Sequence, residues 1–103
     1  MKQAVQDLFT RQRLVLIAGP CAAESQDLCL QVAREIQELT TDLGVGYIFK
    51  ASFDKANRTS MNSYRGPGLE EGLKTLKAVQ SELGLPVLTD IHLPEQAAPV
   101  AEV

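Results

Sequence analysis

Short apolar runs alternate with amphipathic segments along this chain. The apolar runs cover 13–19 (RLVLIAG), 45–50 (VGYIFK) and 86–91 (PVLTDI), and each has the length and composition of a buried β-strand. Two stretches with apolar residues at helical spacing lie between them, and a third helix is predicted to begin at Pro94. This alternation predicts an α/β fold in which βα units form a parallel sheet.

The same pattern predicts where the helices begin and end, and which face each one buries. The first should begin after Ser25, a preferred N-cap residue, and end at Gly44, and the second should end at Gly84. The apolar stripe of the first helix consists of Leu28, Val32, Ile36, Leu39 and Leu43. The stripe of the second consists of Leu69, Leu73, Leu76, Val79 and Leu83. We expect both stripes to be buried.

The unusual polar clusters all follow a predicted strand. They are GPCAAES, KASFDKANRTS and TDIH. Open doubly wound sheets and closed barrels both place ligand chemistry at the carboxyl ends of their strands, so the pattern leaves these two architectures open. Three βα units have exposed sheet edges, and the last helical pattern stops without a capping glycine. We therefore expect a chain that is truncated or that assembles with copies of itself.

The bulk composition narrows the class of protein. The 103 residues carry a formal net charge of −3, and 45% of them are apolar, which is usual for a globular domain. The acidic balance and the few aromatic residues argue against a nucleic-acid surface, and no apolar run is long enough to span a membrane. Two cysteines are too few for a disulfide framework. We expect 1–103 to be a cytoplasmic chain without an internal domain boundary and with reduced thiols.

Segment 50–65 (KASFDKANRTSMNSYR) is cationic within this acidic chain. It holds four of the ten Lys and Arg residues but one of the thirteen acids, which gives it a formal charge of +3. Ammonium, guanidinium and hydroxyl donors together are typical of sites that bind phosphate or carboxylate groups. Because Lys50 directly follows an apolar strand, we expect its ammonium group at the mouth of the sheet. The segment predicts an anion-binding site, with a solvated basic loop as the alternative.

Two other loops contain side chains that could bind a metal or take part in catalysis. Cys21 could ligate a metal or act as a nucleophile, but no second ligand lies at close spacing, which favours a small buried side chain. Cys29, beside the apolar stripe of its helix, is expected in the core. Asp90 and His92 alternate along a predicted strand and should face the same side, where they could bind hydroxyls, hold a metal or relay a proton. A histidine that is only hydrogen-bonded at a strand end fits the pattern equally well.

Four motifs occur in the order IAGPCAAES, FKASFDKANRTS, SYRGPGLEEG and TDIH. From about residue 14 to the end, the chain resembles the 3-deoxy-8-phosphooctulonate synthase family. FDKANR separates this family from the related synthase that begins aromatic amino-acid biosynthesis. The resemblance implies a (β/α)8 barrel, of which the chain supplies about the first three units, and usually a homotetramer. It implies condensation of phosphoenolpyruvate with D-arabinose 5-phosphate and water, which yields 3-deoxy-D-manno-octulosonate 8-phosphate and phosphate for lipopolysaccharide biosynthesis.

The resemblance also implies roles for individual residues. The residues that would contact phosphoenolpyruvate are Lys50, Ser52 and Lys55. Those that would hold the sugar phosphate and its neighbouring groups are Asn57, Arg58 and Thr59. Asp90 would bind sugar hydroxyls. Lys55 and Asp90 are the expected catalytic residues.

Position 21 divides the family, because cysteine marks the metal-dependent members and asparagine the metal-independent ones. The resemblance therefore implies that Cys21 ligates a divalent transition metal of unspecified identity. The remaining ligands, a histidine and carboxylates in the family, would lie beyond Val103. The chain departs from the residues common in the family at Met61, Asn62 and Leu93, which leaves local substrate contacts open.

Two functions of different class follow from the sequence. The first is part of a metal-dependent synthase, and the isolated chain is then expected to be inactive because most of the site is missing. The second is a truncated βα module that binds phosphate or self-associates without catalysis. A related phosphoenolpyruvate-dependent sugar-acid synthase is a further alternative.

Overall fold

A computed structural model of the protein describes residues 2–11, 14–56 and 65–103. Within these residues three parallel strands form one sheet in the order β1 (Val15–Ala18), β2 (Gly46–Lys50) and β3 (Val87–Leu88). The helices are α1 (Lys2–Arg11), α2 (Gln26–Leu43), α3 (Leu69–Leu83) and α4 (Ala97–Ala101), the last preceded by a 3-10 turn at Pro94–Gln96. The α/β alternation and the parallel sheet are confirmed, as expected for part of a (β/α)8 barrel.

The ends of the helices follow the predicted capping residues. The Oγ of Ser25 accepts a hydrogen bond from the backbone N–H of Leu28 at 3.1 Å, which satisfies one donor of the first turn of α2. Gly44 and Gly84 end α2 and α3 in the left-handed conformation, with φ of 67° and 66°. Helix α1 was not predicted, although Val5, Leu8 and Phe9 have helical spacing. Strand β3 is shorter than the predicted 86–91.

The two predicted apolar stripes have different outcomes. On α3 the prediction is confirmed for Leu76 and Val79, which are buried, whereas the other three members of the stripe are half-buried. On α2 it is wrong for three members, which are exposed: Leu28 (37%), Leu39 (62%) and Leu43 (75%). The side of α2 that is buried contains mainly small residues: Cys29, Leu30, Ala33 and Thr40. These positions lie about 100° around the helix from the leucines, and their small side chains let α2 approach the sheet closely.

The core lies between the sheet and helices α2 and α3. Alternate residues of β2 and its extension, Tyr47, Phe49 and Ala51, belong to this core together with residues of both helices. Phe49 and Cys29 are fully buried, so the predicted core position of Cys29 is confirmed. Lys50 points away from this layer and is exposed. None of the described helices has the length and apolar character needed to cross a membrane.

Candidate active site

The loop after β1 runs beside the carboxyl end of β2. Ala22 forms a parallel bridge with Ser52, and the backbone N–H of Ser52 donates to the carbonyl of Cys21 at 3.3 Å. A glycine at position 19 allows this close approach, because a Cβ on Gly19 would lie 1.9 Å from the carbonyl oxygen of Lys50. The loop therefore places Cys21, which is exposed, next to Ser52 at the carboxyl edge of the sheet.

Three of the predicted site residues meet at this edge. The Oγ of Ser52, a residue that is only 1% exposed, donates to Oδ1 of Asp90 at 2.5 Å. The same Oγ accepts a hydrogen bond from Nζ of Lys55 at 3.0 Å. An ammonium group, a hydroxyl and a carboxylate thus form a continuous chain of contacts. Residues from the loops after β2 and β3 build this cluster.

The environment of Asp90 favours the ionised carboxylate. Burial by itself raises the pKa of Asp90, but the hydrogen bond from Ser52, a backbone hydrogen bond and electrostatic interactions with His92 and Lys55 outweigh it and lower the pKa below its ordinary value. The carboxylate is therefore charged at neutral pH. An ionised carboxylate can only accept hydrogen bonds, for example from hydroxyl groups.

His92 completes the cluster and was predicted to face the same side as Asp90. Its Nε2 lies 3.3 Å from Oδ2 of Asp90 and 2.7 Å from the backbone carbonyl oxygen of Asp54. The ring also packs edge-on against Phe53, with 6.1 Å between centroids. The predicted proximity is confirmed, but its stated reason is wrong. Strand β3 ends at Leu88, so the loop and not strand alternation brings the two side chains together.

The pairing of Asp54 with Arg65 was not predicted from the sequence. The guanidinium of Arg65 donates from Nε and from one terminal nitrogen to the two carboxylate oxygens of Asp54, each at 2.9 Å. The backbone N–H of Lys55 also donates to the carbonyl of Arg65. These contacts hold together the chain on either side of 57–64. The available signal was that Asp54 is the one acid in a segment of four cations.

The remaining predicted site residues are Lys50 and three residues that the structure does not describe. Lys50 is exposed at the last position of β2, at the same edge of the sheet. Asn57, Arg58 and Thr59 lie outside the described residues. Across 2–11, 14–56 and 65–103, no group of three or more His, Cys, Asp or Glu side chains could hold a metal ion. The described part of the chain therefore does not by itself form a metal site around Cys21.

This geometry suits anion binding next to a polar acceptor. The ammonium of Lys55 has three donors, and within the described residues one of them is directed to Ser52, which leaves two for a phosphate or carboxylate group there. The ionised Asp90 lies on the other side of the same hydroxyl. A small molecule that combines an anionic group with hydroxyls matches this arrangement of donors and acceptors.

The chain is similar to several known proteins that share one name. Three proteins named 2-dehydro-3-deoxyphosphooctonate aldolase match over about 90 residues. The protein of Campylobacter jejuni subsp. doylei is 54% identical, over 89% of this chain and 34% of its own length. That of Desulfatibacillum aliphaticivorans is 54% identical, over 87% and 33%. That of a Cyanothece species is 56% identical, over 89% and 34%.

These matches cover most of this chain but only part of each relative. Nearly all of this chain is covered, but it spans about a third of the length of the curated relatives that it matches. The profile of the DAHP synthetase I family matches residues 10–103, a range that contains every described residue of the cluster at the carboxyl edge. The chain therefore belongs to the DAHP synthetase I family.

Proposed function

We propose that this chain supplies part of the active site of a 3-deoxy-8-phosphooctulonate synthase. In this reaction the methylene carbon of phosphoenolpyruvate forms a bond with the aldehyde carbon of D-arabinose 5-phosphate. Water supplies an oxygen to the product, and inorganic phosphate leaves. The observation that carries the proposal is the contact chain from Lys55 through Ser52 to Asp90. The names of the relatives support an enzyme of this kind.

Each residue of the contact chain has a distinct role in the proposal. Lys55, with Lys50 nearby at the strand end, binds the phosphate or carboxylate of phosphoenolpyruvate by charge-assisted hydrogen bonds. Ser52 orients both the ammonium group and the carboxylate, because its hydroxyl contacts each of them. Asp90, ionised at neutral pH, accepts hydrogen bonds from sugar hydroxyls. Such positioning brings the two reacting carbons together and lowers the entropic part of the barrier.

A metal is also part of the proposal. Cys21 lies exposed at the correct edge of the sheet and would contribute a thiolate ligand to a divalent transition metal. Such a metal would polarise the aldehyde or an attacking water. The described residues contain no group of three ligands, and the proposal places the other ligands in the part of the relatives' length that this chain does not cover. The homotetramer and the cytoplasmic location stay predictions.

A second candidate function follows from the coverage of the relatives. Because the chain spans about a third of their length, the 103-residue chain alone would be a βα module that binds an anion without catalysis. A related phosphoenolpyruvate-dependent sugar-acid synthase is the further alternative. The motif FDKANR argues against it, because by resemblance this motif distinguishes the octulosonate synthases.

The proposal is tested with a chimera. This chain replaces the matching third of the Campylobacter jejuni relative, and phosphate release is measured with both substrates, with each alone, and after exhaustive chelation. The proposal predicts release only when phosphoenolpyruvate and arabinose 5-phosphate are both present, with loss after chelation and recovery with a divalent transition metal. A folded chimera that is inactive beside an active relative would contradict it. Activity that survives complete metal removal would contradict the role of Cys21.

The matched variants of the chimera are Lys55→Ala and Lys77→Ala. Removal of Lys55 should weaken transition-state binding by roughly 2–5 kcal/mol, because it leaves a substrate anion without its cation. The effect should appear mainly against phosphoenolpyruvate. Lys77 is exposed on α3, where its Nζ donates to Gln80, and its removal should leave both substrates unaffected. Equal kinetic constants for the two variants would contradict the anion-binding role and show that the cationic segment is a solvated basic loop.

A further inference from the structure

The contacts of His92 fix which ring nitrogen carries the proton. A carbonyl oxygen can only accept a hydrogen bond, so the 2.7 Å contact between Nε2 and the carbonyl of Asp54 requires a proton on Nε2. The same Nε2 lies 3.3 Å from Oδ2 of Asp90. The Nε2–H group is therefore shared between a backbone carbonyl and a carboxylate.

Both oxygens of the Asp90 carboxylate are thereby oriented by this chain. Oδ1 accepts from the hydroxyl of Ser52, and Oδ2 faces Nε2 of His92. Rotation of the carboxylate would break one or both contacts. The direction in which Asp90 presents its remaining lone pairs thus depends on where the ring of His92 is held.

The backbone carbonyl of Asp54, which contacts His92, is fixed in turn by contacts with Arg65, a residue that follows 57–64 in the chain. Arg65 grips the carboxylate of Asp54 with a bidentate pair, and the carbonyl of Arg65 accepts from the N–H of Lys55. The carbonyl of Phe53 accepts from the backbone N–H of Gly68 at 3.0 Å. The backbone over 53–55 is therefore fastened on both sides of the peptide that contacts the ring.

We propose that Arg65, Asp54 and His92 form a positioning relay for Asp90. Arg65 fixes Asp54, the carbonyl of Asp54 fixes the ring of His92 through Nε2–H, and His92 fixes the carboxylate. None of the three needs to touch a substrate for this role. The structural part of the relay is independent of the proposed function, whereas its effect on sugar-phosphate binding rests on that function.

The first test uses NMR of the whole 103-residue chain. His92 is its one histidine, so the imidazole signals are unambiguous. The relay predicts a proton resonance on Nε2 that is visible in water, because the bound proton exchanges slowly, with nuclear Overhauser contacts between the ring and Phe53. A neutral ring with its proton on Nδ1 would overturn the relay.

Variants separate the relay from general loss of an ion pair. Arg65→Gln removes the guanidinium fork, and Arg65→Lys keeps the charge but not the bidentate geometry. Both should lose the Nε2–H resonance and shift the ring signals. Arg34→Gln is the matched control, because Arg34 pairs with Glu82 at 3.2 Å and both arginine side chains are more than half exposed. An unchanged ring spectrum in folded Arg65→Gln and Arg65→Lys would overturn the proposal.

The second test measures kinetics of the chimera. Arg65→Gln should raise KM for the sugar phosphate about tenfold, the effect expected when an outer partner of a site residue is lost, with little change for phosphoenolpyruvate. Arg34→Gln should change neither constant. If the chimera is active and Arg65→Gln keeps both KM values, the link to Asp90 is wrong. If the NMR result holds and the chimera is inactive, the relay stands and the proposed function fails.

Discussion

Phe49 and Ser52 lie three residues apart and are almost equally buried, at 0% and 1% exposure, but they belong to different regions. Phe49 packs among apolar side chains between the sheet and the helices. Ser52 is buried among charges, with its hydroxyl between an ammonium and a carboxylate. Burial alone therefore does not distinguish the core from the site. The groups that satisfy each buried side chain do, because a buried polar atom is stable only with hydrogen-bonding partners.

Because the two regions are stabilised differently, we expect substitutions in them to have different effects. Changes in the apolar region should lower the free energy of unfolding and leave the local chemistry of the edge intact in any molecules that still fold. Changes at the carboxyl edge should alter ligand binding with a smaller loss of stability.

The largest effect is expected for Phe49→Ala. Removing a fully buried aromatic side chain leaves a cavity and typically costs about 3–5 kcal/mol, a large part of the stability of a small domain. Denaturant unfolding followed by circular dichroism should show a lost or strongly shifted transition. Phe9→Ala is the control, because Phe9 is 56% exposed. Equal midpoints for the two variants would contradict the assignment of Phe49 to the core.

The two cysteines should differ strongly in reactivity. Burial, with a smaller contribution from the charge of Glu24, raises the pKa of Cys29 from 9.0 to about 11. Its thiolate fraction at pH 8 is therefore about 100-fold lower than that of a thiol with the ordinary pKa. Cys21 is exposed at the edge of the sheet. Alkylation followed by peptide mass spectrometry should therefore modify Cys21 first and Cys29 only on unfolding. Simultaneous modification in the folded chain would contradict the burial of Cys29.

Gly19→Ala should affect the edge more than the core. The added Cβ would meet the backbone of Lys50, which cannot move without disturbing β2, and such overpacking typically costs about 1–3 kcal/mol. Because Gly19 positions the loop that carries Cys21, binding of phosphoenolpyruvate should fall as well.

Gly84→Ala provides the contrast for this substitution. It strains a left-handed helix end by about 1–2 kcal/mol but lies away from the site. Unfolding and binding should be measured for both glycine variants. Similar binding losses in the two would show that general destabilisation is the cause, which would contradict the positioning role of Gly19.

The smallest effect is the pH dependence contributed by Asp90. Since the pKa of Asp90 is lower in the folded chain, its ionised form adds stability that is fully present above the ordinary pKa of 3.8. That stability is lost as the pH falls through the lowered folded value. Asp90→Asn should therefore flatten the acid limb of the unfolding free energy, by less than about 1 kcal/mol because the side chain is partly exposed. Asp42→Asn, on the exposed surface of α2, is the control, and an identical acid limb in the two variants would contradict this role.

Local sequence signals predicted the architecture well. The apolar runs located all three strands, and Ser25, Gly44 and Gly84 marked helix ends because capping is decided within a few residues. The buried face of α2 was predicted wrongly. Leucine spacing indicates a helix, but the side that meets the sheet is chosen by the close packing of Cys29 and Ala33.

The candidate site also contains residues that the sequence predicted and contacts that it did not. Lys55, Ser52 and Asp90 were identified through motifs that follow strands, and a parallel sheet brings strand ends together whatever the intervening chain does. The pairing of Asp54 with Arg65 depends on the path of the chain between them. The position of His92 depends on a loop carbonyl. Neither contact has a spacing rule that a sequence pattern could carry.

The central claim is that the carboxyl edge of the sheet is an anion site, and the most direct measurement is an NMR titration of the 103-residue chain with phosphoenolpyruvate. Because much of the site belongs to a longer protein in this account, we expect weak binding, with Kd on the order of 1 mM. Backbone shifts should concentrate at Cys21, Ser52, Lys55 and Asp90 and vanish in Lys55→Ala, and inorganic phosphate should reproduce part of them. Shifts centred on Lys74 and Lys77 of α3, or no shift at tens of millimolar ligand, would contradict the claim.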